Sequence, residues 1–386
     1  MRVVIVGGGI NGMFSAYFLR KDGYEVEVID RSHSGKTSVF NAGLLTPALP
    51  PAEVNISRAF FDREGPLHVS PSVMMRNPAW LLSAARGGGH EGDMAELGER
   101  SLKLYRKFFK EESVEADVAD GVVAVYKDEG KARDAAAAHG CKFLSGPDLR
   151  EMGYAGFGGG ALFRKNMAVN PPKLFDALRK KLSETGVRFV TGEEADLEVE
   201  RGRVGAVSTR SGRHAGDYYV IAGGSWTTSL CRKLRYNPRI IPARGLALLF
   251  RAGGSKVVST PALLEDYGAA VSQHDPDTVR ATGFFELAGF DEGIDGGKRD
   301  WLRNILAHHI EGSGNLELAE EGVGFRPCTP DQRPVVGGVP GHPNVFVNSG
   351  QCRLGMTLAP VSGHTVASLI AGRKPDGVEC MDPARF

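Results

Sequence analysis

Three glycines near the N-terminus carry the clearest chemistry in the chain. Gly7, Gly9 and Gly12 stand in the spacing GxGxxG, with Ile10 and Asn11 between the last two, directly behind the apolar run Val3-Val4-Ile5-Val6. A helical pattern follows from Met13 to about Arg20, then a second apolar run, Val26-Glu27-Val28-Ile29, which ends on Asp30 and Arg31. Strand, glycine turn, helix, strand and acidic residue in this order predict a βαβ unit that binds a dinucleotide. Gly7 permits the tight turn, Gly9 lets backbone approach a pyrophosphate, and Gly12 lets helix and strand pack closely. The pyrophosphate would lie against helix N–H groups that have no intrahelical partner. Asp30 is placed to accept from ribose hydroxyls, and its charge argues against a 2′-phosphate and hence against NADP.

Other chemistries find little support. The five cysteines (141, 231, 328, 352 and 380) are scattered without a CxxC and read as reduced thiols rather than as a disulfide framework or zinc site. His33, His308, His309 and His364 show no ligand spacing, so no metal is expected. Neither a Ser-His-Asp pattern nor a nucleophilic cysteine is arguable. The net charge of +1 does not call for nucleic acid or an anionic membrane surface. No stretch approaches ~18 consecutive apolar residues, and the apolar start is a strand rather than a signal peptide. A cytoplasmic protein is expected, with peripheral membrane contact left open.

The elements that must position these residues follow from periodicity. At 386 residues the chain has room for two domains. Residues 76–110 read as mostly helical and Val122–Tyr126 as a strand. Asn170-Pro171-Pro172 opens a helix through Leu174, Leu178 and Leu182 that Gly186 ends. Strands are expected at 187–190, 204–209 and 218–222, then an antiparallel sheet over 241–290, a helix at 301–310, a strand at 344–347 and a closing helix near 359–370. The order suits a Rossmann-like α/β domain interrupted by an antiparallel-sheet α+β domain.

Several separated segments then share one likeness: Thr37-Ser38 followed by Asn41-Ala42-Gly43, Val169-Asn170-Pro171, Gly223-Gly224-Ser225-Trp226, and Gly324-Phe325-Arg326-Pro327-Cys328-Thr329-Pro330-Asp331 with Pro334-Val335-Val336-Gly337. The chain resembles the flavin-dependent D-amino-acid oxidase and dehydrogenase superfamily, most of all the bacterial-type D-amino-acid dehydrogenases. The likeness covers both ends and the 167–230 region, and is loose over 85–160. It departs where that family often has Gly-His-Gly, for this chain reads Gly350-Gln351-Cys352-Arg353-Leu354-Gly355.

The resemblance implies FAD rather than NAD, bound without a covalent link because the spacing of Cys328 does not match the linking cysteine of sarcosine oxidases. It places Thr37, Ser38, Asn41, Ala42, Gly43, Gly223, Gly224, Trp226, Gly350, Leu354, Gly355, Met356 and Thr357 at the cofactor, with Asp30 and Arg31. Arg326 would clamp a substrate carboxylate, with a structural arginine beneath the flavin as the alternative. Tyr267 would place a hydroxyl near substrate, and an ordinary sheet tyrosine is the alternative. Arg353 would be a second anion anchor or hold the charge of the reduced ring. The implied reaction is oxidative deamination of a small D-amino acid, with electrons passed to a quinone or other carrier. Rivals are an oxygen-using oxidase of glycine, sarcosine or a proline-type imino acid, and a flavin-bearing relay subunit of a hetero-oligomer. The cofactor part is expected at 1–75, 160–238 and 320–386, and the substrate part at 76–159 and 239–319.

Overall fold

The computed structural model describes residues 1–32, 36–47, 67–85 and 91–386. His33, Pro50 and Pro51 lie outside the described residues, as does the side chain of Thr37.

Strand Arg2–Val6 is buried on both faces, which is why it reads as a continuous apolar run. Val3 and Ile5 join one core with Phe14, Leu102, Tyr105 and Leu358, while Val4 and Val6 join another with Leu197, Val204, Tyr219 and Val345. It pairs in parallel with Glu25–Asp30 and Tyr218–Ile221. The full six-stranded sheet runs Val335–Gly338, Val345–Ser349, Tyr218–Ile221, Arg2–Val6, Glu25–Asp30, Arg188–Thr191. Its pairings are parallel except for the first, between Val335–Gly338 and Val345–Ser349.

Helices Ile10–Lys21 and Gly355–Ile370 cover one face in close contact, for a Cβ on Gly363 would fall 2.6 Å from the carbonyl carbon of Phe14. Helix Glu91–Glu112 joins this layer, where Tyr105 and Phe108 pack edge-on to Phe14 with centroids 5.2 and 5.4 Å away. A three-stranded antiparallel sheet, Asp196–Glu200, Arg203–Thr209 and Gly212–His214, covers the other face.

The second unit is built on a ten-stranded sheet. Its order is Glu317–Cys328, Ile241–Arg251, Thr278–Leu287, Ala269–Asp275, Ala262–Leu264, Ala119–Tyr126, Gly159–Ala168 and Leu44–Leu45, with Leu67–Val69 and Lys142–Ser145 as side branches. Helix Gly296–His309 closes its core through Leu302, Ile305 and Leu306.

The element types follow the sequence reading, but several assignments to the two parts change, including the short strands Leu44–Leu45 and Leu67–Val69, which lie within 1–75 yet pair in the large sheet. Strands Gly159–Ala168 and Glu317–Cys328, expected on the cofactor side, pair in the large sheet. Helix Glu91–Glu112, expected over the substrate, packs on the nucleotide side because its apolar stripe meets Phe14 and Tyr17. Alternation identifies a strand, but not the sheet that receives it.

The candidate active site is one cleft between the two sheets

A cleft of about 1120 Å³ runs from the end of the parallel sheet to the large sheet. At its first end Gly7, Gly9, Ile10, Asn11, Asp30 and Arg31 form the wall. Gly7 has φ +113°, and a Cβ there would meet the Ala222 carbonyl oxygen at 2.2 Å. Gly12 lies behind the wall, where a Cβ would sit 1.9 Å from the Gly7 carbonyl oxygen. Helix Ile10–Lys21 starts on Gly9, which has no side chain to cap it, and without an acidic residue in its first turn; the neutral Ser38 hydroxyl accepts from the Ile10 N–H at 3.3 Å, so the end stays electropositive toward the cleft. Asp30 accepts from the Gly8 N–H at 2.5 Å and from Ser32 N–H and Oγ at 2.6 and 2.7 Å. It therefore braces the glycine turn as well as lining the cleft.

The middle of the cleft is lined by Ser38, Asn41 and Ala42, whose loop is pinned by strands of the large sheet. Ser272 Oγ and His274 Nε2 both donate to the Ala42 carbonyl, at 2.8 and 3.1 Å, and Arg280 donates to the Val39 carbonyl at 2.8 Å. Gly43, at φ +78°, faces away from the cleft toward the Val169 carbonyl and His274. Burial pushes the His274 imidazole down to about 4, so it is neutral near pH 7.

Opposite lie Gly223, Gly224, Ser225 and Trp226. Trp226 stacks on Phe290 with centroids 4.8 Å apart, and the Arg31 guanidinium lies 3.6 Å above its ring. Gly355 and Met356 open the second helix on the cleft, again without a cap or an acidic first turn. Three expected cofactor residues stand behind this wall. Gly350 (φ +83°) packs against Thr329 and Val335, Leu354 joins the nucleotide-side core, and Thr357 Oγ1 accepts from the Thr46 N–H at 3.1 Å.

The far end holds Arg326, Arg353 and Glu265. Arg326 donates from Nη1 to the Phe284 and Arg244 carbonyls, at 2.9 and 3.4 Å, and no carboxylate touches it among the described residues. The nearby carboxylate of Glu286 is already held by Arg244, at 2.7 Å, and by Lys298. Burial, with repulsion from Arg353, pushes the Arg326 guanidinium down to about 10, which leaves it charged at neutral pH. Burial also lowers Arg353, an effect that Glu265 opposes.

Tyr267 does not reach the cleft. Its ring packs on Trp301, and its hydroxyl lies 2.5 Å from His309 Nε2. His309 Nδ1 faces the Ala155 carbonyl at 2.8 Å and donates to it, so Nε2 accepts and Tyr267 donates. Glu265, two residues earlier in the same 3₁₀ turn, faces the cleft instead, and burial raises its carboxyl above the usual range. Successive side chains in such a turn are about a third of a turn apart. Nothing in the sequence pattern marks which of the two faces the cleft.

The reading of all cysteines as free thiols is also corrected. Cys328 and Cys352 form a disulfide, brought together by an isolated β-bridge between Cys328 and Gln351, while Cys141, Cys231 and Cys380 are free. Partners 24 residues apart on a strand end and a turn carry no spacing code.

Among the described residues there is no group of side chains suited to a metal ion, and no helix is long and apolar enough to cross a membrane.

The cleft suits a long dinucleotide. Two helix N-termini without an acidic residue in the first turn face it, the glycine turn leaves room above Gly9, and buried Asn11 Oδ1 and Ser225 Oγ lack partners among the described residues. Residues 2–369 match the family described as DAO, FAD dependent oxidoreductase. The chain belongs to this family of FAD-dependent oxidoreductases. It is 31% identical to a D-amino acid dehydrogenase of a Methylobacterium species, over 97% of this chain and 96% of that protein. It is 29% identical to a D-amino acid dehydrogenase of Rhizorhabdus wittichii, over 97% of each. Glycine oxidase from Geobacillus kaustophilus shares the fold, with a TM-score of 0.79 at 20% identity over 100% of this chain and 99% of that one.

Proposed function

We propose that this FAD-dependent oxidoreductase oxidises a small D-amino acid at Cα, with non-covalently bound FAD, and passes the electrons to a quinone or another carrier. The observation that carries the reading is Arg326, a half-buried guanidinium on the cleft wall with no carboxylate within contact among the described residues. Leaving such a charge unpaired is costly, and a planar fork of donors matches a substrate carboxylate. FAD supplies the hydride acceptor when bound.

The chain's own residues then bind and orient. Arg326 takes the carboxylate and so fixes the position of Cα. Arg353 adds a second positive charge facing the same space, and Glu265 limits the net charge there. Trp226 and Phe325, packed edge to face, give the cleft an apolar wall beside Arg326. Cys328 is bound to Cys352, which supports a flavin held without a covalent link.

Anaerobic bleaching of the holoenzyme's flavin by single D- and L-amino acids, glycine and D- and L-proline tests the reading. Bleaching by D-amino acids is the expected result. Bleaching by glycine or proline alone, with peroxide formed in air, would shift the reading to an oxidase. No bleaching by any of them would overturn the substrate class.

A further inference from the structure

The disulfide sits where the two arginines meet. Strand Glu317–Cys328 carries Arg326 two residues before Cys328, so the two side chains leave the same face of the strand. Cys352 opens the 3₁₀ turn Cys352–Leu354, and Arg353 is its next residue. Arg326 and Arg353 repel each other, and both line the cleft. Cys352 also stands at φ +48°, a left-handed backbone conformation that is strained for a non-glycine residue. Surrounding structure must hold it, and the two segments are joined by the sulfur–sulfur bond, the isolated bridge of Cys328 with Gln351 and the packing of Gly350 against Thr329. Gln351 is anchored in turn by its amide, which donates to Asn348 Oδ1 at 2.8 Å. Cys352 itself forms part of the cleft wall.

We infer that the Cys328–Cys352 disulfide is a positioning link for the carboxylate site, holding the Arg353 turn against the Arg326 strand so that its reduction weakens substrate binding while the cofactor stays bound. The inference rests on the proposed amino-acid reading of the cleft. The opening step is thiol–disulfide exchange with a small dithiol such as dithiothreitol. One thiolate attacks a protein sulfur and breaks the Cys328–Cys352 bond, the second closes the reagent's ring as its own disulfide, and the two electrons and two protons it gives up end on Cys328 and Cys352, which become thiols. The freed turn then relaxes out of the left-handed conformation, and the like charges of Arg353 and Arg326 move apart.

The test uses holoenzyme purified without reductant. Alkylation after denaturation, counted by mass, is expected to add three labels, on Cys141, Cys231 and Cys380, and five after reduction. Before and after dithiothreitol, KM and kcat are measured with the best amino acid. In parallel the affinity for acetate, a non-oxidisable carboxylate, is read from the flavin's visible spectrum. Reduction should raise KM and the acetate dissociation constant about tenfold, as for a misplaced charge-assisted hydrogen bond. It should leave kcat within about twofold and flavin content unchanged, and reoxidation should restore both constants. Cys352→Ser should show the weakened binding from the start and no response to dithiothreitol. A purely structural link would lower the melting temperature without this split.

Five labels in unreduced protein, or three labels with KM and acetate affinity unmoved by reduction, would overturn the inference. Acetate affinity that responds to reduction in a protein that oxidises no amino acid would uphold the link and reject the amino-acid reading. Loss of both turnover and acetate binding in the oxidised protein would remove the carboxylate site, and this role with it.

Discussion

Arg326 owes its place to an unusual strand. Phe284, whose carbonyl receives the guanidinium, has φ +67° within the strand Thr278–Leu287, and the pairing with Ile241–Arg251 shifts register beside it. Gly245 completes the seat, since a Cβ there would lie 2.5 Å from Arg326 Nη1. Arg326→Lys keeps the charge but loses the planar fork, so KM should rise roughly 10- to 100-fold, the equivalent of about 1.5–3 kcal/mol. Gly245→Ala should act in the same direction by moving the guanidinium. Both should retain flavin, as a protein-to-flavin ratio from the visible spectrum will show; unchanged KM in both would take Arg326 out of the site. A second prediction concerns His274, whose pKa falls from 6.5 to about 4 on burial. The unfolded chain binds this proton more readily, so stability from this group is complete above about pH 6.5 and is lost as pH falls toward 4. Between pH 7 and pH 5 the loss should be about 2 kcal/mol. His274→Gln keeps a donor for the Ala42 carbonyl and should flatten this part of the denaturation profile; a profile as steep as the parent's would assign the acid sensitivity elsewhere.

The βαβ element was legible because its physics is local. Gly7 and Gly12 stand where backbone must approach backbone, and apolar runs bounded by the glycine turn identify the strands without knowledge of the rest of the chain. A Cβ on Gly12 would meet the Gly7 carbonyl at 1.9 Å, a backbone contact that no rotamer change relieves. Gly12→Ala should therefore cost about 1–3 kcal/mol, as overpacking does, and yield protein with little flavin. Full flavin content at the parental melting temperature would show that the helix moves freely. The substrate end was much less legible. Arg326 was marked by a motif, but Glu265 and Tyr267 share one turn and differ only in which side of it faces the cleft. The Cys328–Cys352 link joins a strand end to a distant turn, and helix Glu91–Glu112 is amphipathic whichever core receives its apolar stripe. Local pattern identifies such elements, and non-local packing decides their neighbours.

At the scale of the molecule, the cleft is where the parallel sheet and the large mixed sheet face each other, and residues from both line it. A ligand that spans it contacts both units at once, whereas one confined to the glycine turn contacts the first alone. FAD at about 100 times its dissociation constant should stabilise the native state by about 2.7 kcal/mol. For a chain of this length that amounts to a rise of about 3 °C in the melting temperature. Adenosine diphosphate has the adenine, ribose and pyrophosphate but lacks the flavin ring, which the proposed reading puts beside Arg326. At the same multiple of its own dissociation constant it gives the same mass-action term for the native state. The difference should then appear in local stability. Hydrogen exchange in strands Thr278–Leu287 and Glu317–Cys328 should slow with FAD and stay near the apoprotein rate with adenosine diphosphate. Equal protection of those strands by both ligands would mean that the two units are coupled through their packing, and that the cofactor is not the bridge between them.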